Sequence, residues 1–230
     1  MTKLLREAWF FTRTHLKPLL AIALIYTLPS TLMELSRLGA EEPLPQNQQL
    51  VIGALFICLG VIQFGAAMIF IHRRVEGAAV SLAEAISLAL KQLLPLLLVN
   101  ILMALMIAGG LMLLILPGLF LAYKLLFAEF MLLFHGMGPI DALKASYRST
   151  RGLAGEILPP LLLWAGLVIA VSVAGTLLFN PDGESGALGL LVQEGLSMLV
   201  SVYGWALLYR LYQCFITAQI AAPARPDDEF

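Results

Sequence analysis

The sequence predicts an all-α polytopic membrane protein: six transmembrane helices as three hairpin units, each preceded by a basic amphipathic interfacial helix. Three observations predict it. Of the 230 residues, 60% are hydrophobic and only 13% are charged, against about 45–50% and about 25% in soluble domains, so the solvent around this chain has to be lipid. The apolar residues fall into six runs, each near the ~20 residues that a ~30 Å hydrocarbon core requires. Lys and Arg collect on one set of flanks. A single transmembrane domain is expected over residues 1–220, with a short disordered tail over 221–230.

Residues 2–17, TKLLREAWFFTRTHLK, interleave Leu4, Leu5, Trp9 and Phe11 with Lys3, Arg6, Arg13 and Lys17, the pattern of a basic helix lying in a membrane interface. A signal-peptide reading is excluded because the following run is too long and lacks an A-x-A-like exit. Pro18 opens the first span, 19–38, and costs little in a first helical turn. The loop GAEEPLPQNQQ (39–49) follows. The second span, 50–71, carries Gln63 as its one strongly polar residue and is stopped by His72-Arg73-Arg74.

Residues 78–93 form the second amphipathic helix, where Ser81 followed by Glu84 is a capping-box start. Pro95 opens the third span, 95–116, with Asn100 near its start. Pro117-Gly118 supply the expected turn, and the fourth span runs over 119–134. As the shortest run it leaves five spans plus a re-entrant hairpin as the structural alternative. The third amphipathic helix occupies 139–151. Pro159-Pro160 open the fifth span, 159–179, the turn-rich NPDGESG (180–186) follows, and the sixth span is 187–211.

Orientation follows from the basic residues. Twelve of the 14 Lys and Arg lie on one set of flanks. The opposite flanks hold Arg37 with Glu34, Glu41, Glu42, Asp182 and Glu184. Both termini are expected in the cytoplasm of a bacterial cell, with the chain in its inner membrane. The order of amphipathic helix, proline, span, turn and returning span occurs three times, at Pro18, Pro95 and Pro159. That order suggests parallel repeats about an axis normal to the membrane.

Lys124 and Glu129 are the most unusual residues, because a charge at mid-membrane costs about 2.5–3.5 kcal/mol and seeks a partner. Five residues apart on a helix, they do not face each other. Lys124 and Glu194 each stand about 9 Å below the outer surface, so a Lys124–Glu194 pair is expected; Arg210 is the candidate partner of Glu129. These four residues are ion pairs that fix helix register, interfacial charges whose heads reach the headgroups, or parts of a polar path or a lipid-headgroup site. Gly166, Ala170 and Ala174 form a small-residue ladder suited to close helix packing. Arg73, Arg74, Lys144, Arg148 and Arg151 are candidate contacts for anionic lipid headgroups, beside their topological role.

Several function classes find no support. The chain has no G-x-S-x-G, H-E-x-x-H or Walker motif, and no paired histidines. Cys58 and Cys214 stand far apart in apolar runs and read as small buried or lipid-facing residues, and no two of His15, His72 and His135 are at ligand spacing, so no metal site is expected. No catalytic residue, cofactor or nucleic-acid partner is expected.

Leu-Pro-Gly, a span, a Gly-rich break and then ALKASYRSTRG (142–152), with ALLYRLYQ (206–213) near the C-terminus, resemble the YciC-like family of uncharacterised bacterial inner-membrane proteins. A similar Pro-Gly, span and A-L-x-x-S pattern occurs in the membrane domain of some glycerophosphodiester phosphodiesterases. The resemblance implies a multi-pass inner-membrane protein with no catalytic residues to carry over; Glu129 departs from the pattern. The expected function is non-enzymatic: binding lipid or a membrane partner, homo-oligomers included, in envelope or lipid homeostasis. The alternative is a small transporter or channel subunit with a polar path through Lys124, Glu129 and Glu194.

Overall fold

A computed structural model of the chain describes residues 2–38, 44–179 and 186–217. Residues 39–43 and 180–185 of the two expected loops, and the tail 221–230, lie outside them. The elements are α1 Thr2–Thr14, α2 Leu16–Ser36, α3 Gln46–Val75, α4 Leu82–Lys91, α5 Leu93–Leu113, α6 Ile115–Leu125, α7 Ala128–His135, α8 Pro139–Ser149, α9 Ala154–Phe179 and α10 Ala187–Leu211. A π-helical turn, Tyr212–Ile216, extends α10. Among the described residues, six helices are long and apolar enough to cross a membrane: α2, α3, α5, α6 with α7, α9, and α10 with its π turn.

The helix starts follow local chemistry. Ser81 caps α4 by accepting from the Glu84 N–H at 3.1 Å, as the capping pattern requires. Pro18 and Pro95 stand in the first turns of α2 and α5, where the missing N–H has no helical acceptor to lose. The fifth span departs from expectation. It begins at Ala154, and Pro159 and Pro160 lie inside it. The helix can pass them because the carbonyls they leave unpaired belong to the exposed Gly155 and Glu156.

The third hairpin departs too. The chain reverses at Leu114, whose extended backbone ends α5, and Pro117-Gly118 belong to the first turns of α6. Gly118 serves close approach instead of a turn: a Cβ there would fall 2.4 Å from Leu111 Cγ, and one on Gly110 would fall 2.9 Å from the Gly118 Cα. Gly110 thus faces Gly118, and Asn100 faces Glu129. The two contacts share one antiparallel register, so α6 and α7 return along the whole of α5. The third and fourth candidate spans each have 21 residues, which makes the fourth a full-length partner of the third, longer than the run 119–134 suggested.

Packing is uneven along the bundle. α4 packs against α3, α8 against α7, and α1 against α10, while α9 packs against α10. Among the described residues the buried apolar side chains lie from the middle of the spans to the basic end, among them Leu19 and Ile22, Ala66 to Ile71, Leu96, Phe127 to Leu132, and Val202 to Leu211. Beyond that layer α3 meets α2 through Phe56 and Tyr26, α2 meets α10 through Thr27 and Met198, and α10 meets α9. Gly204 admits the Trp164 ring, and Gly189 admits Phe179, at the α9–α10 contact. The ladder Gly166, Ala170 and Ala174 is not used this way: its residues are exposed, with open space around Gly166.

Candidate functional site

Where α3 ends, at His72-Arg73-Arg74, the ends of α4 and α7 close beside it and leave a pocket of about 400 Å³. Its polar lining is His72, Arg73, Glu76, Lys91 and Gln92; its apolar lining is Ile69, Leu88, Leu133 and Phe134. The sequence builds it from three helix C-termini. Arg73 and Lys91 occupy last turns, where a cation offsets the partial negative charge of the helix end. Gln92 ends α4 and begins α5.

His72 is held on three sides. Its ring stacks on Phe134 with centroids 4.1 Å apart. Its Nε2 lies 3.2 Å from the Glu76 carboxylate and its Nδ1 lies 2.9 Å from the Tyr209 hydroxyl. A carboxylate only accepts, so Nε2 carries a proton, and with a neutral ring Nδ1 accepts from Tyr209. His135 contacts the Tyr212 hydroxyl at 2.7 Å. Phe130 and Phe134 pack on Tyr212, so one aromatic layer joins α3, α7 and the π turn.

The expected intramembrane pairs do not form. Lys124, 6% exposed, is surrounded by Phe120, Tyr123 and Tyr147 with its ammonium 5.1–5.7 Å from the ring centroids. It reaches the Tyr147 carbonyl at 3.5 Å. Among the described residues no carboxylate stands within salt-bridge distance of it, and cation–π contacts take that place. Glu129 accepts a hydrogen bond from Asn100. Arg210 pairs with Glu7 at 3.2 Å and donates to Gln213 at 2.7 Å. Glu194 lines a groove of about 170 Å³ with Thr27 and Thr31, between α2 and α10. Depth alone matched Lys124 to Glu194, but α8 reaches Lys124 first.

The segment that carries the family resemblance has a visible task. The fourth span breaks after Leu125, and α8 satisfies the broken ends. Ser146 Oγ accepts from the Phe127 N–H at 3.1 Å and donates to the Lys124 carbonyl at 2.9 Å. Thr150 Oγ1 lies 3.4 Å from the same carbonyl. The Tyr123 hydroxyl donates to the Thr150 carbonyl.

Of the five candidate headgroup contacts, Arg73 alone lines the pocket. Arg74 donates to the Val80 carbonyl at 3.3 Å and lies over the Phe70 ring. Lys144 and Arg148 are exposed along α8, and Arg151 is exposed just past its end. Sequence reasoning missed Lys91 and Gln92 as companions of Arg73. The available signal was their place at a helix C-terminus, as for Arg73 itself.

A family profile described as an uncharacterised protein family, UPF0259, matches residues 46–214. A UPF0259 membrane protein of Pectobacterium carotovorum subsp. carotovorum (strain PC1) is 29% identical over 152 residues. The match covers 66% of this chain and 60% of that protein, so the chain spans about 60% of the length of the curated relative it matches. No solved structure matches.

Proposed function

The chain belongs to the UPF0259 family of uncharacterised membrane proteins, and on that premise we propose that it is a non-enzymatic phospholipid-binding protein of a bacterial inner membrane. Its basic end faces the cytoplasm, and its role is envelope or lipid homeostasis. One observation carries the reading: the pocket of about 400 Å³ in which Arg73, Lys91 and Gln92 stand beside Leu88, Leu133 and Phe134. Arg and Lys hold a phosphodiester, and the apolar wall suits the first carbons of acyl chains. The basic residues outside the pocket, Lys144, Arg148 and Arg151, add attraction to an anionic leaflet.

The test is phospholipid retained by delipidated, reloaded protein, read by native mass spectrometry. Two basic residues at about 1 kcal/mol each near a headgroup layer predict roughly thirtyfold weaker retention in the Arg73→Ala, Lys91→Ala double variant. Retention equal to the wild type in a folded double variant rejects the proposal. A transport path is less well supported. Lys124, Glu129 and Glu194 stand against α8, α5 and α2 respectively, and none of the described pockets is lined by two of them.

A further inference from the structure

The pocket that holds Arg73 and Lys91 is not uniformly positive. Glu76 lines it as well, and its side chain is about half exposed, so the carboxylate is accessible. The C-terminal ends of α3, α4 and α7 all border the cavity, and such ends carry partial negative charge that favours a cation. A purely anionic headgroup gains from Arg73, Lys91 and the N-terminus of α5 at Gln92 but meets Glu76 and three unfavourable dipole ends. A headgroup with charges of both signs matches both halves of the lining.

We infer that the pocket takes a zwitterionic phospholipid headgroup, an aminoalkyl phosphodiester, with its phosphate on Arg73 and Lys91 and its ammonium on Glu76. The inference rests on the phospholipid reading above and adds the headgroup class. The carboxylate already accepts from His72 through one oxygen, and its remaining lone pairs are free to accept from an ammonium. Ile69, Leu88 and Leu133 supply the apolar wall that favours a bilayer lipid over the soluble phosphodiester carrying the same charges.

The full chain, delipidated in detergent, is offered equal amounts of phosphatidylethanolamine and phosphatidylglycerol with matched acyl chains, and the retained ratio is read by native mass spectrometry. The wild type is expected to retain the ethanolamine lipid about threefold over the glycerol lipid, the range of an exposed ion pair. Glu76→Gln is expected to bring the ratio near one by lowering retention of the ethanolamine lipid while the glycerol lipid is still held, and Glu76→Asp to restore part of the preference. A wild-type ratio at or below one, or a ratio unmoved by Glu76→Gln, overturns the inference. In both cases loss of total retention in Arg73→Ala still upholds the phosphate site, so the two readings fail separately. Glycerophosphoethanolamine at millimolar concentration is expected not to displace the lipid; full displacement would assign the site to a soluble phosphodiester and overturn the lipid form of the inference.

Discussion

The two ends of this bundle are built by different rules. Toward the basic end, α1, α3, α4, α7, α8 and α10 meet in several layers, and Phe70, Phe127, Phe130 and Leu207 are fully buried. Toward the other end, Leu50 on α3, Met112 to Leu116 at the α5–α6 reversal, Leu177 on α9 and Leu188 on α10 stay exposed. In water that second surface would be untenable. In lipid it gains nothing by being covered, because acyl chains are as apolar as leucine. The contrast teaches where specificity resides: the lipid-embedded half needs length and small-residue crossings, and the basic half needs a packed, hydrogen-bonded core to hold a polar pocket open.

The largest expected effect tests that contrast directly. Phe130 is 0% exposed, packed between Phe64, Phe127 and Tyr212, whereas Leu177 is 69% exposed on α9. Phe130→Ala is expected to cost about 3–5 kcal/mol, the range for emptying a core aromatic site. Leu177→Ala is expected to fall within about 0.5 kcal/mol, the range of surface changes. Thermal unfolding of both variants in the same detergent measures the difference, and equal losses would erase the distinction between the two ends.

A second, smaller effect probes the junction between them. Ser146→Ala removes the hydroxyl that serves both the Phe127 N–H and the Lys124 carbonyl. With the Phe127 N–H left unpaired and the Lys124 carbonyl keeping only Thr150 Oγ1 at 3.4 Å, the expected loss is about 1–3 kcal/mol. Ser146→Thr keeps the hydroxyl and is expected to recover part of it in the same melting assay. An alanine variant as stable as the wild type would mean that the helix break is held by packing alone.

Much of the fold was readable in the sequence because lipid makes backbone demands that composition reports directly. Runs of about 20 apolar residues have few alternatives to helix in a bilayer, and the six candidate spans stand where those runs fall. Side-chain partnership was not readable. Lys124, Glu129, Glu194 and Arg210 each found a neighbour by helix crossing, which depth along a span does not encode. The turn was misplaced for a related reason. Pro117-Gly118 is a turn dipeptide in isolation, yet the α5–α6 contact uses Gly118 for its missing Cβ and the helix start uses Pro117 for its missing N–H. The pocket was half legible: Arg73 stood out in a charged triplet, while Lys91 and Gln92 acquired meaning only once the end of α4 lay beside the end of α3.

The smallest effect concerns the joint between the N-terminal helix and the bundle. His15 stands between α1 and α2, its ring 4.7 Å from Phe11 and 6.2 Å from Phe70 by centroid. Burial lowers its pKa from the ordinary value of 6.5, and the charge of Arg74 lowers it further. The unfolded chain therefore binds the proton more readily than the folded chain. The contribution of His15 to stability is complete above the unfolded value of about 6.5 and is lost as pH falls from there through the lowered folded value. Melting temperature should accordingly drop on acidification from about pH 7.5 to about pH 5 by more in the wild type than in His15→Phe, which keeps the ring contacts and cannot titrate. His72 and His135 are present in both proteins, so the difference between the two pH profiles isolates His15. Parallel profiles would place the docking of α1 outside the reach of this histidine and leave it to the Glu7–Arg210 pair and the buried Ala8 and Thr12.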